Sequence, residues 1–460
     1  MEHDQHSIWD RTPDHPDANA ARLWQGTAFA SLTHKGLLMR IILLLLLGAS
    51  AFAQKKSPEL PPPHATKSYM KYSNVKGWEN NEKPVAPEGF MVNLYAEGLQ
   101  NPRWLYELPN GDLLVAESNS HYKFFKKIGA AIVGATRSNS MKKSADRITL
   151  LRDADHDGIP ETKTVFLEGL NQPFGMLLVG DQFYVANTDG LLRFPYLKDA
   201  TSITTTGDKI ASFPAGKVNQ HWTRNIIANK DKTKFYVAVG CGTDHGEKGM
   251  DKEALRANIL EMNPDGSGMR VYASGLRNPV GMDWAPGTNT LWVAVNERDK
   301  LGNDLVPDYI TSVKEGAFYG WPYSYFGQHP DPRVTDAPAG LIESAIVPDF
   351  PLNAHTASLG LAFYTGNAFP EKYKNGAFVT QHGSWNRKPV SGYKVLFVPF
   401  KNGKPAGSQE DFLTGFVKDS VKGVVRGRPV GITVSRTGAM FITDDRTNRI
   451  WRISYAAPKP

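Results

Sequence analysis

The chain has 460 residues, with 53 Lys and Arg against 46 Asp and Glu, a formal net charge of +7, and one cysteine. Its basic residues are dispersed, which argues against the clustered cationic face of a nucleic-acid binder while suiting an anionic small ligand. A single cysteine excludes an intrachain disulfide and a Cys-x-x-Cys-His haem attachment.

Residues 1–38 are polar and rich in His and Asp, and read as translation from a start codon set too early. From Met39 the chain runs MRIILLLLLGASAFAQKK. One basic residue, the apolar run Ile41–Gly48 and small residues up to Ala53 form the pattern of a secretory signal cleaved after Ala53. The run is too short to cross a bilayer as a helix. The expected mature chain, residues 54–460, is therefore secreted or periplasmic and has no membrane span. Residues 54–85, with Pro61–Pro63, read as an extended leader, and residues 86–460 as the functional domain.

Beyond the leader, apolar runs are short, rich in β-branched and aromatic residues, and closed by Gly, Asn-Gly or Asp-Gly turns. GDLLVAES, DQFYVANT, TKFYVAVG, NTLWVAVNE, GAFVTQHG and GAMFITDD are six such segments, each ending in polar residues where the strand stops. Cys241 is expected as a small buried residue at one of these strand ends. KEALRANILEM (Lys252–Met262) has some helical character but leads into NPDGSG, so it is expected to enter a strand. The hairpin-like DADHDGIPE from Asp153 imitates the start of a calcium loop, yet Thr164 stands where the bidentate Glu belongs. It reads as an acidic hairpin tip.

One phrase recurs: EGLQNPRWLYEL from Glu97, EGLNQPFGMLL from Glu168, SGLRNPVGMDW from Ser274 and a shorter RGRPVGITV from Arg426. Glycine permits a positive φ and proline fixes the chain as it begins a strand. Repeated units of this kind point to a radial or stacked architecture. About 60 residues per unit suffices for a four-stranded blade with insertions. The expected fold is all-β, a six-bladed β-propeller, with a two-sheet sandwich as the alternative.

A propeller gathers function on the loops of one face. The strand-end candidates are Gln172, Gln220 with His221, Arg277 with Asn278, Asn296 to Asp299, His355, His382 to Arg387, and Arg426 with Arg428. Cations and imidazoles together suit a polyanionic ligand and a proton acceptor.

NQHWTRNI, GLRNPVGM, NERDKLGNDLVPDY followed by YGWP, HGSWNR with GYKV, and RGRPVGI occur here in one order. In this the chain resembles the soluble pyrroloquinoline quinone (PQQ)-dependent glucose/sorbosone dehydrogenases, six-bladed propellers, over residues 86–456. The resemblance implies a secreted sugar oxidoreductase with PQQ and calcium, passing electrons to a separate acceptor such as a cytochrome or quinone. It casts His221 as the base, since an imidazole can be neutral near pH 7 and still accept a proton. Gln220 stands where the glucose branch has an acidic partner for that imidazole. Arg277 and Asn278 match the pair that touches the quinone, Arg277 polarising its carbonyl. Arg426 and Arg428 match an arginine pair that holds its carboxylates, taken here as alternate residues on one strand face. Arg387 falls near a cofactor-binding lysine, and His355 near the pocket lining. Trp385 and Gln172 are candidates for the sugar side. Arg298 and Asp299 are expected to ligate calcium through backbone carbonyls, and Asp308 with Tyr319 to mark a second, structural calcium site. A calcium-dependent lactone or ester hydrolase and a carbohydrate-binding propeller without activity are the rival readings.

Overall fold

Strands dominate because the apolar runs are only five to seven residues long and alternate with turn residues. The structure is a computed structural model that describes residues 59–121, 138 and 143–456. The expected signal segment Met39–Ala53 and the stretch before it lie outside the described residues. So does the start of the leader, residues 54–58.

Six four-stranded antiparallel sheets hold most of the strand residues. Their first strands are Pro102–Glu107, Gly175–Val179, Arg224–Ala228, Pro279–Trp284, Ser358–Phe363 and Pro429–Val434. Each of these packs against the next in order, and the last packs against the first, so they close a ring. The second strands are Leu113–Glu117, Gln182–Asn187, Phe235–Val239, Leu291–Val295, Ala377–Gln381 and Met440–Asp444. These are the six apolar segments singled out in the sequence. Their runs are continuous rather than alternating because sheets pack on both of their faces. Leu113–Glu117, Phe235–Val239 and Ala377–Gln381, for instance, are buried throughout.

A separate apolar cluster fills each space between neighbouring sheets. Phe166 and Leu114 meet Phe174 and Phe183 between the first and second sheets, and Tyr95 and Phe441 meet Leu105 and Val115 between the sixth and first. Full burial of each such side chain contributes about 1.5–3 kcal/mol. The last sheet takes its outer strand, Phe90–Ala96, from the other end of the chain. That strand lies antiparallel to Arg449–Tyr455, with Val92 opposite Ile453.

The recurring phrase marks the approach to four of the six first strands. Gly98, Gly169 and Gly275 all have positive φ, at 71°, 73° and 75°. Pro102, Pro279 and Pro429 are the first residues of their strands. Lys252–Met262 divides as its sequence suggested, into a 3-10 turn over Met250–Glu253 and the strand Asn258–Met262. Asp153, Asp155, Asp157 and Glu161 lie at the tip of the hairpin joining Arg147–Arg152 to Thr162–Leu167, with carboxylate oxygens within 4.8 Å of one another.

The leader is packed down. Its His64 N–H donates to the Leu301 carbonyl and its Lys71 N–H to that of Trp385. Asn74–Val75 then pairs in parallel with Val424–Val425. Among the described residues, no helix is long and apolar enough to cross a membrane.

Candidate active site

First strands begin, and second strands end, on the same side of the ring. Residues at those two positions line a cavity of about 390 Å³ there. Arg103, Thr223, Asn278, Leu359 and Arg428 come from the starts of first strands; Asn296, His382 and Arg446 follow the ends of second strands. The leader adds Tyr72, whose ring stacks on Trp385 with centroids 5.6 Å apart and planes inclined by 23°.

His221 stands in this cavity. Its Nδ1 lies 2.9 Å from the carbonyl oxygen of Cys241, and only an N–H can satisfy that acceptor. The Cys241 thiol, buried beside the ring, directs its own proton to the Thr243 carbonyl at 2.8 Å. Nε2 is therefore the nitrogen that carries the lone pair. Burial, and then the Arg277 cation, lower the pKa of His221 to about 3, so the ring is neutral at neutral pH. The orienting group expected at Gln220 is thus supplied by a backbone carbonyl instead. Gln220 itself is exposed at the cavity edge. Gly240 lets His221 and Asn278 approach: a Cβ on it would lie 2.3 Å from Asn278 Oδ1 and 2.6 Å from His221 Cβ.

Arg277 is buried and bound on every side. It donates to Asp244 Oδ1 at 2.6 Å, the Asp244 carbonyl at 3.2 Å, the Glu297 carbonyl at 2.6 Å and the Asn296 carbonyl at 3.3 Å. Asp299 Oδ2 completes the set at 3.3 Å. These carboxylates hold its pKa above the ordinary arginine value against the cost of burial. Asn278 Oδ1 is buried with no hydrogen-bond partner among the described residues, an acceptor kept open beside the histidine.

Arg428 is buried too, yet has no carboxylate partner among the described residues. It donates to the carbonyls of His382 at 2.8 Å and Gly383 at 2.6 Å and lies over the Tyr393 ring. Desolvation lowers its pKa. Asp445 is a hub behind the wall, accepting from Arg103 at 2.6 Å and lying 2.9 Å from His382 Nε2 and 3.3 Å from Arg446. His355 is fixed by the Gly302 carbonyl at 2.9 Å and by Asn386 at 3.1 Å. Among the described residues the lining holds four guanidinium groups, Arg103, Arg277, Arg428 and Arg446, and one carboxylate, Asp299.

Of the residues expected from sequence, Gln220, His221, Arg277, Asn278, Asp299, His355, Trp385 and Arg428 meet in this cavity. Others do not. Arg426 is turned away and forms a two-point pair with Glu82 of the leader, at 2.8 and 2.7 Å. It lies between the strands Val424–Val425 and Pro429–Val434, so the alternation that was to align it with Arg428 does not apply. Arg387 pairs with Asp304 at 2.6 Å and the Asn303 carbonyl at 3.0 Å, outside the cavity lining. Gln172 lines a neighbouring cavity and donates to the Asn119 carbonyl at 2.8 Å.

Arg298 and Asp299, expected to ligate through their carbonyls, have protein partners of their own. The Asp299 carbonyl accepts from Arg333 at 3.0 Å, and it is the Asp299 carboxylate that lines the cavity. The Arg298 side chain is buried between Glu297 at 3.2 Å and Asp331 at 2.8 Å. Asp308 caps the N–H groups of Glu297 and Ser358, whereas the Tyr319 hydroxyl donates to the Ser312 carbonyl at the other end of the same strand. Four residues of strand separate those ends by roughly 13 Å, so the two side chains do not share one metal site.

Arg103, Arg446 and Tyr72 were not singled out from sequence. Arg103 was visible as the arginine after proline in GLQNPRW. Arg446 follows TDD as Arg298 follows NE. Tyr72 carries no local signal.

The family model described as Domain of unknown function (DUF7133) matches residues 85–384. The chain belongs to this family. A TrAA12-like model matches residues 324–456. An uncharacterized protein of Borreliella burgdorferi is 30% identical over 296 residues, covering 62% of this chain and 76% of that one. The pyrroloquinoline quinone-dependent pyranose dehydrogenase of Coprinopsis cinerea is 23% identical over 79% of this chain, which spans 54% of that enzyme. Among solved structures, the PQQ domain of the same Coprinopsis enzyme superposes with a TM-score of 0.62 at 20% identity, covering 83% of this chain and 100% of that one. The calcium structure of a Trichoderma reesei Carbohydrate-Active Enzymes Family AA12 protein gives 0.67 at 18%, covering 83% and 99%. Of these relatives the Coprinopsis enzyme is named as PQQ-dependent, the class that the sequence motifs resemble.

Proposed function

We propose that the chain is a PQQ-dependent oxidoreductase that oxidises an aldose sugar or a sorbosone-like aldehyde or alcohol. In this reading the six sheets are the blades of a six-bladed β-propeller spanning residues 86–460. The observation that carries the proposal is a neutral histidine with a free lone pair in a cavity walled by arginines and a flat aromatic pair. A ring of metal-binding carboxylates, which a lactone or ester hydrolase would need, is not what lines it: Asp299 is the one carboxylate there among the described residues.

The residues fit the cofactor. A flat tricarboxylate matches a lining with four guanidinium groups against one carboxylate, and planar rings match the stacked Tyr72 and Trp385. Arg428, Arg103 and Arg446 would hold the carboxylates, and the carboxylate of Asp299 would hold calcium. When bound, the quinone accepts a hydride and calcium polarises its carbonyl.

The chain's own part is proton transfer and placement. His221 Nε2 accepts the proton of the sugar hydroxyl while Cys241 O keeps the tautomer fixed. A bound polyanion favours imidazolium and so raises the basicity of His221 above that of the empty site. Arg277, anchored by Asp244, stays charged beside it and Asn278 Oδ1 remains an open acceptor. Electrons leave to a separate acceptor, because one cysteine cannot build a covalent haem site. A signal cleaved after Ala53 would deliver the protein outside the cytoplasm. The test is to mix the protein with PQQ and calcium and follow dye reduction on an aldose panel. His221→Ala should abolish turnover and keep the quinone bound; failure of the unaltered protein to bind quinone would overturn the proposal.

A further inference from the structure

A second cavity, of about 660 Å³, lies beside the first three sheets and shares Gln220 and Trp222 with the His221 cavity. Resting on the activity proposed above, we infer that it is a glycan groove, and that the substrate is an oligosaccharide whose terminal unit reaches His221.

Size comes first. A cavity near 400 Å³ suits one ligand of drug size, and the quinone would claim most of the smaller one. A sugar presented to His221 then extends past the shared residues into the larger space, which has room for more than one further unit.

Chemistry points the same way. Four carboxamides, Asn171, Gln172, Asn219 and Gln220, line the groove, and Trp222 is its aromatic side chain. Carboxamides both donate and accept, which matches the hydroxyls of a sugar better than it matches an apolar ligand, and His121, Lys217, Glu247 and Lys248 complete a polar lining. Two of them are fixed in advance. Asn219 Oδ1 accepts from Arg224 at 3.1 Å and Arg256 at 3.0 Å, and Gln172 Nε2 is held by the Asn119 carbonyl. The side-chain amides of Asn171 and Gln220 make no hydrogen bond among the described residues. Walls set in place with open amides beside them reduce the ordering that a flexible glycan ligand would otherwise require.

Binding is measured by calorimetry with glucose and with α-1,4- and β-1,4-linked glucose oligomers of two to five units, on protein with and without PQQ. We expect affinity for one linkage series to rise at least tenfold from glucose to the trimer and then level off. Asn171→Trp, which puts bulk into the groove, should remove that gain and leave glucose binding and glucose oxidation within twofold. Lys217→Trp, at an exposed position of the same wall, serves if the first variant unfolds on a melting curve. Equal affinity for glucose and trimer overturns the inference, as does a length effect that survives both variants. Absence of any oligomer binding overturns it as well. Retained quinone and glucose oxidation then show that the proposed activity stands, while loss of both shows that it has fallen with the groove.

Discussion

Arg426 and Arg428 are two residues apart, and the structure gives them opposite work. Arg428 commits donors to two carbonyls, has no carboxylate partner for its guanidinium among the described residues, and lines the cavity; Arg426 is engaged by Glu82 at 2.7 Å and lies outside the lining. Hydrogen bonds to a charged group are worth about 1.5–3 kcal/mol each. Loss of a guanidinium that makes one or two of them to a quinone carboxylate should therefore cost about 2–3 kcal/mol. At about 1.4 kcal/mol per decade, this is roughly a 30- to 140-fold weaker Kd. Arg426→Ala breaks a part-exposed pair worth about 0–1 kcal/mol of stability and should leave quinone affinity within about threefold. Titration of apoprotein with PQQ at fixed calcium, followed by tryptophan quenching, measures both. Melting curves confirm that Arg428→Ala is folded. Equal losses in the two variants, or a larger one at Arg426, would refute the placement of these side chains.

Acid should destabilise the fold well above the carboxylate range. His221 and His382 both have pKa values lowered to about 3, mainly by burial. The unfolded chain takes up these protons first, so the stability they confer is complete above about pH 6.5 and is lost as pH falls toward 3. Each contributes up to about 1.4 kcal/mol per pH unit. Allowing for screening at His221, which keeps some exposure to the cavity, urea unfolding at pH 5 should show about 3 kcal/mol less stability than at pH 7. A flat profile would contradict the burial of the two rings. Arg298→Met should cost about 3 kcal/mol in the same assay, because it strips a buried partner from Glu297 and Asp331, with Arg333 still bridging Asp331. A loss below 1 kcal/mol would mean that the pair is less buried than it stands here.

The sheets were legible because the second strand of each is apolar on both faces, and no polar interruption blurs a segment such as TKFYVAVG. Residues at strand starts were legible where a motif placed them: His221, Arg277 and Arg428 all reach the cavity. The reading failed where it relied on chain geometry that a motif does not carry. Strand alternation would align Arg426 with Arg428, but both precede the strand Pro429–Val434 and follow Val424–Val425. Asp308 and Tyr319 are close in sequence, yet a strand holds their partners apart. Tyr72 comes from a leader whose path over the face is fixed by backbone hydrogen bonds, which any sequence can make. Arg103 follows its proline, whereas the position that sets Arg277 apart in the repeated phrase lies before it.

The strand Phe90–Ala96 lies in the same sheet as Arg449–Tyr455. During synthesis the first of these is finished more than 300 residues before its mate exists, so it must wait with an unpaired edge until Arg449–Tyr455 emerges. Deleting Arg449–Tyr455 would consequently remove more than one exposed strand. It would leave the wheel unlatched, with sticky strand edges at the gap and no fixed distance across the hub, and aggregation rather than a milder enzyme would be the result.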